Sequence, residues 1–261
     1  MSQTIALLTD FGLQDNYAGI MKGVILKINP RVQLVDITHQ IGPQNILQGA
    51  LALKTAYSYF PEKTIFVCVV DPGVGSRRRA LIVQTQRYTF LAPDNGLLDP
   101  TLKIEKPKAI CTITNDRYFL KPVSQTFHGR DVFAPAAAYL SKGISPKNMG
   151  SVIQKILSLD LPAPRLDRSH QTITGTILDI DHFGNLITNI EKHHLSLFKK
   201  SFRIKIKRKV IRRTVSAYSE SKAGEVFAIF GSKGYLEIFV NRGSAAGVLK
   251  VRRGEPILLS E

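Results

Sequence analysis

The chain is poor in sulfur and contains no tryptophan. Its 261 residues include only two cysteines, Cys68 and Cys111. They lie far apart in the apolar runs "TIFVCVV" and "AICTIT", and neither has a second thiol or a histidine at metal-binding spacing. This scarcity excludes a disulfide framework and a cysteine-based metal site, and it predicts two reduced core residues.

Long apolar segments are missing as well. The first residues, "MSQTIALLTDFG", lack the basic start and the apolar run of a secretory signal. No segment approaches the ~20 uninterrupted apolar residues that a membrane-spanning helix needs. With 44% hydrophobic residues, a chain of 261 residues can still bury a substantial core. We therefore expect a soluble, cytoplasmic protein with no membrane partner.

Acidic residues are scarce relative to basic ones, because 20 Asp and Glu stand against 36 Lys and Arg, a net charge of +16. Part of the excess lies between Lys199 and Arg213, where apolar and basic residues alternate over positions 202–207. This alternation predicts a strand with one apolar and one basic side. Basic strands without aromatic stacking residues are weak nucleic-acid signals, so we favour a solvated sheet face. A nucleic-acid-binding protein that uses this basic β domain remains an alternative.

The first 160 residues alternate between strand-like and helix-like segments. The apolar runs "TIALLT", "VQLVDIT" and "TIFVCVV" are typical of strands, and "ALIVQTQRYTFLAP" predicts a hairpin. Apolar residues at helical spacing predict helices near 17–28 and 46–57, and "DVFAPAAAYLSKG" predicts another that ends at Gly143. Strands without polar positions suit parallel sheets covered on both faces. We therefore predict that residues 1–160 form an α/β domain with a largely parallel sheet between helices.

The composition changes at "LDLPAPRLDRS", where prolines and charges replace the apolar rhythm. We place a linker at residues 161–170 for this reason. From residue 171 to 261 the chain consists of short strand-like segments separated by turn residues, with little helical patterning. This pattern predicts a small all-β domain, either a barrel or a sandwich.

Polar side chains follow the predicted strands of the first domain. In open α/β sheets, reactive groups lie beyond the carboxyl ends of the strands, so several polar strand ends on one edge indicate a site. Each also has a structural explanation, such as an N-cap at Asp131 or a turn at Asp94 and Asn95. The residues in question are Asp10, Asp36, His39, Asp71, Asp94, Asn95, His128 and Asp131.

The stretch "VVDPGVGSRRR" predicts a tight turn after a buried strand. Gly73 and Gly75 permit positive φ, so the turn can bring Arg78 back toward Asp71 and keep that carboxylate ionised. With His128 nearby, the three side chains would orient a water molecule, polarise it and accept its proton. The alternative is a purely structural Asp71–Arg78 ion pair, with His128 packed in a loop.

Several familiar motifs are absent, and one alternative remains. The chain has no glycine-rich dinucleotide loop, no Walker lysine loop and no G-x-S-x-G elbow, so it fits a phosphate-binding enzyme poorly. A metal-dependent hydrolase is possible if the strand-end ligands converge. Arg78 opposes it, since a guanidinium within the first coordination sphere would repel the cation. The candidate ligands are Asp10, His39, Asp71, Asp94 and His128.

Seven motifs together resemble those of the S-adenosylmethionine hydroxide adenosyltransferases, relatives of fluorinase and chlorinase. They are "TDFGLQDNYAGIMKG", "VDITHQI", "VDPGVGSRRR", "APDNGLL", "TFHGRDVFAPAAA", "DHFGNLITNI" and "GSKGYLEIFVNRGSAA". The resemblance spans both predicted domains. It implies a homotrimer with active sites between subunits, and hydrolysis of S-adenosylmethionine to adenosine and L-methionine without a metal or cofactor.

The same resemblance implies a role for each site residue. Asp71, Arg78 and His128 would activate the water, and Asp10 would hold the ribose hydroxyls. His128 replaces the serine by which halogenating relatives receive halide, which favours hydroxide transfer. The substrate-binding residues of the second domain would be Asn185 and Ala245 at the adenine, and Asp181, Ser232 and Glu237 at the methionine end. Lys233, beside Ser232, departs from the family pattern, and the basic strand has no family role.

Overall fold

A seven-stranded mixed sheet organises the first part of the protein. In this computed structural model, which describes residues 2–198 and 201–261, the chain divides into two units, Met1–Asp160 and Leu161–Glu261. The strands of the first unit are β1 (Thr4–Thr9), β2 (Gln33–Thr38), β3 (Ile65–Val69), β4 (Ala80–Gln84), β5 (Thr89–Pro93), β6 (Ala109–Thr112) and β7 (Val152–Ile153). Its helices are α1 (Tyr17–Ile28), α2 (Ile46–Ala56), α3 (Asp99–Leu102) and α4 (Ala134–Ser141).

The strand order is β2-β1-β3-β5-β4-β6-β7. The first four strands in this order are parallel, as predicted, whereas β4, β6 and β7 join by antiparallel pairing. The α/β class is confirmed, but the prediction of a largely parallel sheet holds for only this half. The antiparallel part begins at the predicted β4–β5 hairpin, which reverses the direction of the chain. Beyond it, β6 pairs antiparallel with β4, and β7 pairs antiparallel with β6.

Alternation along β1 explains why the sheet is covered on both faces. Ile5 and Leu7 belong to one buried cluster with residues of α1 and α4, whereas Ala6 and Leu8 belong to another with residues of α2. Successive side chains of a strand point to opposite faces, so an uninterrupted apolar strand requires apolar cover on each side. Cys68 and Cys111 are free and buried within these clusters, as predicted.

The second unit is an antiparallel sheet that nearly closes on itself. Its elements are β8 (Arg165–Asp167), β9 (Thr172–Ile180), β10 (Leu186–Glu191), β11 (Arg203–Ile206), β12 (Lys209–Ile211), β13 (Val226–Phe230), β14 (Tyr235–Val240), α5 (Ala245–Leu249) and β15 (Pro256–Ser260). The strand order is β12-β11-β15-β9-β10-β14-β13, and β8 pairs with β9. An isolated bridge between Thr214 and Ala228 connects the two ends of this order. The all-β class is therefore confirmed.

One prediction about this unit needs correction. The segment 161–170, predicted as a linker, contains β8, whose residues pair with β9. Its prolines are compatible with this because they lie before the strand, at Pro162 and Pro164. The unit also contains a short helix, α5, which begins at an N-cap where the hydroxyl of Ser244 accepts a hydrogen bond from the backbone nitrogen of Gly247 at 3.1 Å.

Candidate functional site

The turn after β3 brings Arg78 back to Asp71. Backbone hydrogen bonds close two successive turns at this point. Gly75 has a φ of +79°, and a Cβ at this position would collide with the carbonyl oxygen of Gln125. Gly73 and Gly75 both permit positive φ, and of the two Gly75 adopts it. One glycine therefore supplies both the reversal and the close approach of two backbone segments.

Asp71, Arg78 and His128 form one hydrogen-bonded group, as predicted. Arg78 Nε lies 3.0 Å from both carboxylate oxygens of Asp71, and Arg78 Nη2 lies 2.5 Å from Asp71 Oδ2. The same Nη2 atom lies 2.8 Å from His128 Nδ1. The side chains of Asp71 and Arg78 are 5% and 12% exposed, and the guanidinium also lies over the ring of Phe133. Burial and two-point pairing fix the guanidinium in one orientation.

The contact with Arg78 determines how His128 carries its proton. A guanidinium only donates, so His128 Nδ1 accepts, and the proton of the neutral ring is on Nε2. Burial lowers the pKa of His128 below its ordinary value, and the charge of Arg78 lowers it further, against the opposing charges of Asp71 and Asp131. At neutral pH the imidazole is therefore uncharged, with an N–H group on the side away from Arg78.

A π-helical turn follows His128. It spans Gly129–Phe133 and continues directly into α4. Asp131 lies within this turn and is fully buried, and its carboxylate accepts hydrogen bonds from the backbone nitrogen of Ser124 at 2.8 Å and from Arg130. The prediction that Asp131 caps the helix is therefore wrong. Single π turns of this kind are frequent at functional sites, because they displace side chains from regular helical positions.

A cavity of about 370 Å³ lies beside this group. It is lined by Asp10, Asp71 and His128 together with three aromatic residues, Phe11, Tyr17 and Phe127. The three rings contact one another with centroids 5.2–5.9 Å apart. These rings were not among the predicted site residues, although Phe11 and Phe127 are the immediate neighbours of Asp10 and His128. The cavity combines an ionisable wall with an apolar wall, which suits an organic ligand that carries polar groups.

Asp10 is the second carboxylate of this cavity. Its Oδ2 atom accepts a hydrogen bond from the backbone nitrogen of Gln44 at 2.8 Å. Burial raises the pKa of Asp10, the bond from Gln44 opposes the rise, and the charge of Asp71 adds to it. The two carboxylates therefore influence each other, and a hydrogen-bond donor or cation in the cavity would relieve that repulsion.

The remaining strand-end residues do not join this cavity. Asp94 pairs with Arg79 and accepts a hydrogen bond from the backbone nitrogen of Leu157, and His39 is buried against Thr9. Over residues 2–198 and 201–261, no group of three or more His, Cys, Asp or Glu is placed to hold a metal ion. Among these described residues, Asp10, Asp71 and His128 share a cavity without forming a metal-binding group, and His39 and Asp94 lie apart from it, so the metal-dependent alternative gains no support.

The second unit contains a cavity of about 700 Å³. Four of the five residues predicted in this unit line it, namely Asp181, Asn185, Ser232 and Glu237. Lys233, Phe183 and Tyr218 are also part of the lining. Ala245 is not, because it is fully buried at the start of α5, although the nearby Arg242 and Gly243 do line the cavity.

Asp181 organises the loop that carries Asn185. Its carboxylate accepts hydrogen bonds from the backbone nitrogens of Phe183 and Asn185 and from the Asn185 side chain, at 2.8–2.9 Å. Gly184, with a φ of +82°, completes the turn. Asp181 thus has a structural role in its own loop, and it also presents negative charge to the cavity.

Glu237 is a buried carboxylate on β14. Burial raises its pKa, the hydrogen bond from the Tyr218 hydroxyl at 3.1 Å opposes the rise, and the charge of Asp181 adds to it. Burial and the neighbouring carboxylate of Glu237 raise the pKa of Tyr218 to about 12. No motif or periodic pattern in the sequence marks Tyr218, which lies in a single 3-10 turn, Tyr218–Glu220.

The basic segment is a surface feature of the second unit. Ile204 and Ile206 are buried, and Arg203 and Lys205 are exposed, which confirms the predicted alternation. Lys199 and Lys200, where the predicted strand begins, lie outside the described residues. In the described part of the chain, no helix is long and apolar enough to cross a membrane.

The fold and these two cavities define a two-domain α/β–β protein with ionisable groups collected at the ends of parallel strands and in a β-sheet cavity. Two family models match it, the SAM hydroxide adenosyltransferase N-terminal domain over residues 5–150 and the C-terminal domain over residues 175–258. The chain belongs to the SAM hydroxide adenosyltransferase family.

Individual relatives agree with this membership. The chain is 36% identical to an (R)-S-adenosyl-L-methionine hydrolase of Thermus thermophilus over 98% of each chain. It is 24% identical to a fluorinase of Nocardia brasiliensis, over 96% of this chain and 94% of the relative. The crystal structure of an uncharacterized conserved protein from Thermotoga maritima superposes with a TM-score of 0.91 at 36% identity, over 98% of this chain and 100% of the other.

Proposed function

We propose that this protein hydrolyses S-adenosyl-L-methionine to adenosine and L-methionine. The observation that carries the proposal is the Asp71–Arg78–His128 group beside a cavity that Asp10 also lines. Relatives at 36% identity are named (R)-S-adenosyl-L-methionine hydrolases, whereas the fluorinases match at 24%. Water is therefore the favoured nucleophile, and halide is not.

The chemistry needs positioning more than activation. The oxygen of water forms a bond to the 5′-carbon while the bond from that carbon to sulfur breaks, and its electron pair leaves with sulfur as the neutral thioether of methionine. Because a sulfonium is already a good leaving group, no metal, cofactor or general acid is required. A water molecule held in line and shielded from bulk solvent supplies the remaining rate enhancement.

The three side chains have different roles toward this water molecule. Arg78 has no lone pair, and the lone pair of His128 Nδ1 accepts from Arg78, so Asp71 is the member of the group able to receive a proton. His128 offers its Nε2–H group to the water oxygen. Arg78 fixes both partners through its hydrogen bonds to Asp71 and His128. In this mechanism His128 orients the water and Asp71 acts as the base.

The remaining residues recognise the rest of the substrate. Asp10 holds the ribose hydroxyls, for which its two acceptor oxygens are suited. Asp181 and Glu237 give their cavity the negative charge that an ammonium group requires. We assign Ser232 to the methionine end as well, Asn185 to the adenine, and the backbone of Ala245 to a further adenine contact.

The proposed assembly is a homotrimer with active sites between subunits. The ribose and water residues belong to one unit of the chain and the adenine and methionine residues to the other, so a site that uses both sets can be shared between copies. Light scattering at micromolar concentration is expected to give three times the monomer mass. A monomer with full activity would contradict a shared site.

The function is tested by incubating the purified protein with each sulfonium epimer of S-adenosylmethionine in the presence of a chelator. We expect the (R) epimer to be consumed, and chromatography should then show adenosine and methionine in equal amounts. Absence of adenosine, or its formation only after a divalent metal is restored, would contradict the proposal. Steeply salt-dependent nucleic-acid binding without hydrolysis would instead favour the alternative of a nucleic-acid-binding protein.

A further inference from the structure

A chain of polar side chains runs from the surface to the residue before Asp10. Lys22 Nζ donates to Asp36 Oδ2 at 2.6 Å. Asp36 Oδ1 lies 3.1 Å from His39 Nε2, a close approach of charge without a hydrogen bond in the described structure. His39 Nδ1 lies 2.8 Å from the hydroxyl of Thr9. Lys22 and Asp36 are partly exposed, whereas His39 and Thr9 are buried. The chain thus connects solvent to the end of β1.

The ionisation of Asp36 assigns donors and acceptors along this chain. Burial raises the pKa of Asp36, but the contacts with Lys22 and His39 outweigh burial and hold that pKa below its ordinary value. The negative charge of this carboxylate lies nearest Nε2 and favours the tautomer with the proton on that nitrogen, so Nδ1 accepts from the Thr9 hydroxyl. The Thr9 oxygen in turn accepts from the backbone nitrogen of Phe11 at 3.3 Å. Side-chain contacts therefore continue from Asp36 through His39 to Thr9, whose hydroxyl reaches the backbone on the far side of Asp10.

The backbone of His39 holds the same segment. Its carbonyl oxygen accepts a hydrogen bond from the backbone nitrogen of Gly12 at 2.7 Å. The parallel pairing of β1 with β2 shifts register just before its last pair, at Leu8, so regular strand pairing does not reach Asp10. On the β2 side, His39 therefore holds the segment 9–12 where this pairing ends, while on the other side Thr9 still pairs with Val69 of β3.

We propose that His39 is a positioning residue that holds the carboxylate of Asp10 in the cavity through Thr9 and Gly12. The inference rests on the proposed function, in which Asp10 binds the ribose hydroxyls. The order of Thr9, His39 and Asp36 resembles a nucleophilic triad, but Thr9 is 0% exposed, so no substrate reaches its hydroxyl. The group acts on the orientation of Asp10 and does not act on the substrate.

Removal of one hydroxyl tests this role. Thr9→Val keeps nearly the same shape and deletes the bonds to His39 and Phe11, so we expect adenosine binding to weaken about tenfold while kcat changes less. Thr9→Ser retains the hydroxyl and should restore most of the affinity. The matched control is Thr101→Val, because the Thr101 hydroxyl is buried without a hydrogen-bond partner in the described structure. Calorimetry with adenosine and steady-state kinetics measure the two quantities.

A double-mutant cycle separates positioning from general stability. If Thr9→Val acts through Asp10, it should have no further effect on adenosine affinity in an Asp10→Ala background. An undiminished effect there would overturn the inference, as would a Thr9→Val protein that binds adenosine like the wild type. Should Thr9→Val fail to fold, Asp36→Asn at its partly exposed position is expected to weaken binding severalfold, and unchanged binding would overturn the inference. A wild-type protein that binds no adenosine would overturn the proposed function and this inference with it.

Discussion

The two cavities of this chain differ in whether their carboxylates form ion pairs with other side chains of the protein. In the N-terminal unit, Arg78 neutralises Asp71 and also occupies the lone pair of His128. In the C-terminal unit, Asp181 and Glu237 face one cavity, and neither forms an ion pair within the described residues. Burial and the neighbouring carboxylate raise the pKa of Glu237. The first arrangement is internally complete, whereas in the second the cations that line the cavity, Lys233 and Arg242, form no ion pair with either carboxylate within the described residues.

This contrast separates catalysis from recognition. A group that acts on water must hold its geometry before the substrate arrives, which a paired and buried set of side chains achieves. Two neighbouring carboxylates gain most when a ligand brings positive charge, because the ligand relieves their mutual repulsion. Substitutions in the Asp71–Arg78–His128 group should therefore affect turnover most. Substitutions of the recognition carboxylates, Asp10 in the first cavity and Glu237 in the second, should affect substrate binding.

The largest effect is expected for Asp71→Asn. This variant keeps the shape of the side chain but removes the charge and the proton acceptor, so we expect turnover to fall about 100-fold or more. Adenosine affinity should change much less, because adenosine presents no reacting bond. Single-turnover assays and calorimetry measure the two quantities.

Asp94→Asn is the matched control for this variant. Asp94 is also a buried carboxylate after a strand and is also paired with an arginine, Arg79, but it does not line the cavity. We expect its folded form to keep near-normal turnover. Near-normal turnover in folded Asp71→Asn as well would mean that the Asp71–Arg78 pair is structural, and the catalytic assignment would be wrong.

Asp10→Ala should reduce affinity. A charge-assisted hydrogen bond to the ribose hydroxyls contributes roughly 1.5–3 kcal/mol, which corresponds to an adenosine dissociation constant roughly 10–150-fold higher. The 2′,3′-dideoxy analogue of adenosine provides the control, because it lacks the hydroxyls and should bind both proteins equally. A loss of the same size with that analogue would show that Asp10 does not contact the ribose.

Gly231→Ala should act on the methionine end alone. A Cβ on Gly231, which follows β13, would collide with the carboxylate of Glu237 and displace it. We expect KM for S-adenosylmethionine to rise about tenfold, while adenosine, which has no ammonium group, keeps its affinity within about threefold. Gly247→Ala is the control, because its nearest neighbour would be at an ordinary 3.5 Å. Equal losses for both ligands would argue against an ammonium contact at Glu237.

The sequence predicted what depends on local pattern. Apolar periodicity over a few residues located β1, β2 and β3 and the two helices between them, because each element buries its own apolar face. The Asp71–Arg78 contact could be predicted for a related reason, since a glycine turn joins these two residues, which are only seven positions apart. The direction of β6 and β7 in the sheet could not be predicted in this way, because it depends on pairing with strands that are far away in the sequence.

The remaining features depend on packing that no short stretch encodes. Tyr218 reaches Glu237 across the second cavity from a segment with no periodic pattern. Asp131 has the composition of an N-cap, but a π turn and a bond to Ser124 place it inside the core. Ala245 lies in a recognisable motif, yet its burial in α5 keeps its side chain out of the cavity.

The smallest expected effect concerns pH. His128 has an ordinary pKa of 6.5, which burial and then Arg78 lower in the folded chain. Below pH 6.5 the unfolded chain therefore binds a proton that the folded chain does not, so the stability that His128 contributes is present above 6.5 and is lost as pH falls through the lower folded value. Protonation also removes the Nδ1 acceptor and places a second cation against Arg78, so turnover should hold down to pH 6.5 and fall only below it.

Nuclear magnetic resonance of the imidazole protons tests this shift without reference to activity. The sequence has six histidines, so the His128 signal is assigned as the one missing from His128→Gln. Its titration midpoint should lie below 6.5 in the wild type and move upward in Arg78→Gln, because one of the two lowering causes is gone while burial remains. A wild-type midpoint at or above 6.5 would mean that Asp71 and Asp131 dominate the field at the ring. In that case His128 would be charged during turnover, and the N–H group offered to the water would belong to an imidazolium.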